Sequence, residues 1–173
     1  MRKLGSVALF CIGIVLVIGG CIKLYTALTG GNNESDAVGA SVKINEVVSN
    51  KDGVEFCVTN VENVKSIDDG YSEMTTDNNF IVVTIKIVNN SNEPYNVNAG
   101  RFILICDGAE YEYEADAVLK VDNAMWMDEI NPGITKEYKV VYETPTTSVE
   151  SEYKLKIKPV GFSEKDSVYI TLK

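Results

Sequence analysis

The sequence predicts an all-β domain, a sandwich or a barrel, with a hydrophobic segment ahead of it. Three observations carry that expectation. From Ser41 onward apolar residues recur with period two or in short runs, turn residues interrupt them every eight to twelve positions or so, and no long stretch has a helical period. A chain of 173 residues with 45% hydrophobic content is long enough for one domain with a core.

The elements follow in order. After Arg2 and Lys3, Leu4 to Ile22 run 19 residues without a charge. At 1.5 Å per residue a helix of that length spans roughly the 30 Å hydrocarbon layer of a membrane, and it exceeds the apolar stretch of an ordinary secretory signal. Positive residues stay on the cytoplasmic side, so the remainder is expected outside. The stretch "VIGGC", Val17 to Cys21, also resembles the lipobox of bacterial lipoproteins, which would make Cys21 the lipidated N-terminus. Residues 1–28 therefore read as an uncleaved membrane anchor or a lipoprotein signal. Residues 29–40, rich in Gly, Asn, Ser and acidic side chains, have little to bury and read as a flexible tether. Residues 41–173 are the extracytoplasmic domain.

Within it, "SVKINEVV" (Ser41 to Val48) is expected as one strand, and "NKDG" turns it into "VEFCVTNV". "NFIVVTIKIVNN", Asn79 to Asn90, is the strongest strand, and its alternation predicts a central position with one covered side. "NNSNEP" stops it, because Pro94 has no amide hydrogen for a ladder and Asn and Ser side chains compete for backbone bonds. "GRFILICDG" then turns back through Asp107 and Gly108 into "EYEYEA"; "ITKEYKVVYE", "EYKLKIK" and "SVYITL" complete about seven or eight strands.

The motifs "NNSNEPYNV", "FILICDGAEY" and "INPGITKEYKVVYETP" carry a family resemblance. They contain Asn89, Glu93, Pro94, Phe102, Leu104, Asp107, Gly108, Tyr111, Pro132, Gly133 and Pro145. From Ser41 to Leu172 the chain resembles the telokin-like, immunoglobulin-fold domain, of unknown function, of bacterial exported lipoproteins and membrane-anchored proteins. The resemblance implies an immunoglobulin-like antiparallel β-sandwich. It brings no catalytic residues.

Composition narrows the functional classes. From Glu34 onward the chain has 13 basic against 25 acidic residues, a net charge of −12, so nucleic acid and anionic lipid are repelled. There is no histidine, which removes Ser-His-Asp and Cys-His nucleophiles and most catalytic zinc sites. No catalytic residues and no cofactor are expected.

Four constellations remain. Cys57 and Cys106 lie on different expected strands outside the cell, where a disulfide can persist; alternation puts them on unlike faces and favours buried thiols instead. Glu110, Glu112, Glu114 and Asp116 alternate along one expected strand, as a solvated face that discourages edge pairing, since one strand cannot assemble a calcium site. Asp68, Asp69 and Glu73 lie in an acidic connection without calcium-loop spacing. Trp126, between Met125 and Met127, is expected to plug an open end of the sandwich, with a partner surface as the alternative.

These readings converge on a non-catalytic, membrane-tethered binding or accessory module at a bacterial cell surface. It would engage a protein through Asp68, Asp69, Glu73 or Trp126, in the polar segments Val64 to Asn79 and Ala117 to Gly133. The alternative is a small-ligand or divalent-cation binding protein using the acidic loops.

Overall fold

A computed structural model describes residues 41–146, 151–160 and 164–173. The expected anchor, Cys21 and the tether lie outside the described residues. No helix among these is long and apolar enough to cross a membrane. The strands are β1 (Ser41–Lys43), β2 (Val48–Ser49), β3 (Val54–Asp68), β4 (Glu73–Asn89), β5 (Tyr95–Asn98), β6 (Phe102–Cys106), β7 (Ala109–Tyr111), β8 (Met127–Ile130), β9 (Thr135–Thr144), β10 (Tyr153–Ile157) and β11 (Val168–Thr171), with one helical turn, α1 (Ala115–Val118).

Two sheets, in the orders β1-β11-β10-β6-β7 and β2-β3-β4-β9, share one core, and β5 pairs with β8 separately. Phe56, Val58, Ile85 and Ile87 of one sheet and Phe102, Leu104, Leu155 and Ile170 of the other are all buried in that core. The Phe56 and Phe102 rings meet edge to face at 6.2 Å, and Tyr142 donates its hydroxyl to the Phe102 carbonyl across the sheets at 3.1 Å. Each such side chain removed from water contributes about 1.5–3 kcal/mol.

The strand count exceeds the expected seven or eight for two local reasons. Ser41 to Val48 is not one strand. Asn45 has φ 66, a region Asn tolerates, and donates its N–H to Val58 O at 2.8 Å. The chain pivots there, so β1 pairs with β11 while β2 pairs with β3. The β1–β11 pair is parallel, a departure from an all-antiparallel sandwich. The second reason is the small β5–β8 sheet, which the sequence reading did not foresee.

The acidic row also departs from expectation. β7 ends at Tyr111, and the chain then crosses to the edge of β9, where Tyr113 bridges to Tyr142 and Glu114 donates its N–H to Val141 O at 2.8 Å. Glu110 stays on the strand, paired with Lys156 at 3.0 Å, whereas Glu114 and Asp116 fall at the start of α1. A single face of carboxylates does not form.

β4 is central, between β3 and β9, but it is buried on both faces from Asn79 to Ile85. The segment after α1 lies over the face expected to be open, where Leu119 and Val121 share a groove with Val82. The stop after β4 rests on Asn89, which is fully buried. Its Nδ2 donates to Glu93 O and Ile130 O, both at 2.8 Å, and its Oδ1 accepts from Ser91 N at 3.0 Å and Ser91 Oγ at 2.6 Å. Asp107 and Gly108 both have positive φ, 49 and 86, and turn β6 into β7 as expected.

Candidate functional site

Val64 to Asn79 is not an irregular connection. β3 and β4 continue past the core as a hairpin paired to Asp68↔Glu73, with a register break between Val64 and Ser66. A break of this kind twists a strand and re-aims its side chains. It hid the strands from a period-two reading, because alternation changes sides there. Lys65, at the break, donates to Asp77 O at 3.1 Å and to Asn78 O.

The hairpin tip is built from its own carboxylates. Asp68 Oδ1 accepts Gly70 N–H at 2.7 Å, and Asp69 Oδ1 accepts Tyr71 and Ser72 N–H at 2.8 Å each. Gly70 has φ 84, which a side chain would strain. The Ser72 and Tyr71 amides, with Lys120, hold the Asp69 carboxyl below the usual aspartate range. Tyr71 projects from the tip, 98% exposed.

The second segment meets this tip. Beyond α1, Lys120 Nζ reaches Asp69 Oδ2 at 3.3 Å, Ser72 O at 3.3 Å and Ser72 Oγ at 2.5 Å. The chain then runs beside β9: Lys139 N–H donates to Asn123 O and Met125 N–H to Lys139 O, each at 2.8 Å. Lys139 also pairs with Asp122 and holds that carboxyl below its usual range. A groove of about 530 Å³ results, with Glu62, Asp68 and Asp69 on the hairpin side and Leu119, Lys120 and Asp122 opposite.

The expected site residues separate. Asp68 and Asp69 line this groove; Glu73, paired in register with Asp68, does not. Trp126 is not among the groove's residues, nor does it plug the sandwich. It is 42% exposed, with its ring edge-on to Tyr113 at 6.0 Å, while the neighbouring Met125 is fully buried and Met127 is 71% exposed. The plug is Met125. Cys57 and Cys106 are buried thiols on different sheets; Cys106 belongs to the shared core and Cys57 stands opposite Lys86 on β3. Burial, with Asp107 beside it, pushes the Cys106 thiol up. Among the described residues no three His, Cys, Asp or Glu side chains group as metal ligands. Sequence reasoning missed Lys120, because a single lysine after a short apolar run carries no signal of what it will reach.

Solved structures share the fold. The yjhA protein of Bacillus subtilis aligns at 14% identity and a TM-score of 0.58 over 76% of this chain and 99% of its own. The secreted protein MPT63 of Mycobacterium tuberculosis aligns at 13% identity and 0.56, over 78% and 98%. The candidate lipoprotein ycdA of Bacillus subtilis aligns at 15% identity and 0.53; this chain covers 38% of it and is itself covered over 72%. No curated protein matches this sequence. The model of one family, DUF4352, a domain of unknown function, matches residues 42–167, and the chain belongs to that family.

Proposed function

We propose that this chain is a non-catalytic accessory module, tethered to a bacterial membrane with its immunoglobulin-like domain outside, that binds a basic protein partner across the groove at the hairpin tip. The observation that carries the reading is Lys120: its bonds to Asp69 and Ser72 join two segments distant in sequence into one surface. Charge supports the choice of partner, since residues from Glu34 onward carry −12 and the groove holds four carboxylates against Lys120 and Lys139. Tyr71 and Leu119, 98% and 64% exposed, add apolar contact area beside the charges. The uncharged run Leu4 to Ile22 and the lipobox-like "VIGGC" support the tether, and the absence of histidine supports a non-catalytic role.

Photo-crosslinking at the surface of intact cells tests this, with wild type compared against a variant carrying Asp68, Asp69 and Glu73 changed to Ser. Loss of a salt-sensitive adduct supports the tip. An adduct lost only in Trp126→Ala moves the site to that exposed aromatic, and adducts indifferent to both changes refute the surface. Turnover of a substrate by the purified chain, abolished by one polar substitution that leaves folding intact, refutes the non-catalytic role.

A further inference from the structure

We propose that the outer face of the β1-β11-β10-β6-β7 sheet docks on the anionic membrane to which the chain is tethered, through Lys43, Lys154 and Lys158. For its nearness to a membrane the docking rests on the tethered reading above; its charge comes from the sheet alone.

Burial settles which way this sheet faces. Leu104, Leu155 and Ile170 belong to the shared core, and side chains alternate along a strand, so their neighbours point away from it. Register then lays the outward residues in rows across the strands. Lys43, Thr171 and Lys154 stand side by side in one row, and Ser41, Tyr169 and Lys156 in the next. Lys158 N–H donates to Arg101 O at 2.8 Å, so the pairing runs one step past β10 and the alternation brings Lys158 to the same face.

The charge of −12 from Glu34 onward would exclude anionic lipid if it were spread evenly, and it is not. The five strands of this sheet hold three lysines and one carboxylate, Glu110. In the opposite sheet, β3, β4 and β9 hold seven carboxylates and four lysines. Among the described residues Glu110 pairs with Lys156 at 3.0 Å and Glu152 with Lys154 at 3.4 Å, and no ion pair takes Lys43 or Lys158. The Lys154 pair is 42% and 73% exposed, which holds it weakly and leaves the ammonium group able to turn to another anion. Packed sheets lie about 10 Å apart and charges beyond about 8 Å are largely screened at physiological salt, so carboxylates outside the opposite sheet weigh little here.

The length of chain ahead of β1 says what this face meets. Ser41 opens β1, the edge strand of this same sheet, and 18 residues, 23–40, separate it from the uncharged run Leu4 to Ile22. Fully extended, they reach at most about 65 Å. A domain held that close meets the membrane at a high effective concentration, so weak contacts suffice. Each lysine near an anionic leaflet favours the docked state about fivefold. Between Lys43 and Lys154 the Ser41 and Thr171 hydroxyls are bonded to each other at 2.6 Å, which leaves one hydroxyl hydrogen for a phosphate oxygen.

Hydroxyl-radical footprinting of the full chain, in nanodiscs of phosphatidylcholine alone or with phosphatidylglycerol, tests this. It compares Tyr169, partly exposed on the face, with Tyr71, 98% exposed at the hairpin tip. Expected is oxidation of Tyr169 slowed about threefold or more by phosphatidylglycerol and restored by high salt, with Tyr71 unchanged. Changing Lys43, Lys154 and Lys158 to Gln should remove the protection and spare the melting temperature, because none of the three is in the core; the salt arm asks the same question without a substitution. Retention on phosphatidylcholine discs reports on the anchor and not on the face. Whichever way retention falls, the docking is overturned by equal Tyr169 oxidation with the two lipids, by protection of Tyr71 instead, or by protection indifferent to salt or to the three substitutions. The same protection from free glycerol phosphate with phosphatidylcholine discs would assign the face to a soluble anion and overturn the membrane as its occupant.

Discussion

Asn89→Ala tests whether one buried side chain organises the stop after β4. The residue is fully buried and makes four bonds, two donated to Glu93 O and Ile130 O and two accepted from the N–H and hydroxyl of Ser91. Each hydrogen bond is worth about 0.5–1.5 kcal/mol net, and a buried group left unmet costs about 1–3 kcal/mol. The bond to Ile130 O is buried and takes the larger figure; the other three are partly buried, and water replaces some of them. The loss therefore comes to about 3–5 kcal/mol, a large part of the 5–15 kcal/mol that a domain typically has. The main-chain bonds at Asn89, from Gly133 N–H and to Ile134 O, survive the substitution, so the strand should remain paired. Urea denaturation of wild type and variant, followed by tryptophan fluorescence, measures the difference. A loss below about 1 kcal/mol would refute the argument, because the side chain would then be dispensable despite its burial.

Lys120→Ala should cost little global stability, about 1 kcal/mol or less, since the pair with Asp69 is partly exposed; hydrogen exchange at Gly70 to Ser72 should nevertheless rise, because the tie to the second segment is gone. Asp69, Asp122, Asp128 and Glu143 all have carboxyls held below their usual values, so their stabilisation is present above the unfolded pKa, near 4, and is lost as pH falls through the lower folded values. Urea midpoints should thus be level from about pH 7 to 5 and fall below about pH 4. Alkylation mapped by mass spectrometry should leave Cys57 and Cys106 unmodified in the native chain and label both after denaturation without reductant, because both are buried thiols; a bridged pair would stay unlabelled in both states.

Much of the scaffold was legible because local chemistry decides it. Gly53 and Asp107-Gly108 adopt the positive φ that hairpin turns demand, and Asn89 with Ser91 supplies the competing side-chain bonds that end a strand. The alternation from Ile81 to Ile87 announced a central strand, although the second face, expected to be open, is covered as well. Short-range physics of this kind is written in adjacent residues.

What the sequence alone determined is the punctuation and the side-chain alternation of the strands; which sheet each strand joins was settled only by tertiary packing. Ser41 to Val48 read as one strand because its pattern is continuous, yet Asn45 donates to Val58 and the chain changes sheets. "EYEYEA" likewise keeps its alternation while the backbone leaves β7 for the edge of β9. Trp126 and Met125 are neighbours of similar apolar character, and only the position of the core buries one and exposes the other. The groove and the basic face both arise where segments distant in sequence come together, Lys120 with Asp69 and Lys43 with Thr171, and no window of neighbouring residues contains such a contact. Partners separated by dozens of residues are chosen by packing of the whole chain, which is why the candidate surfaces, more than the strands, belong to the tertiary structure.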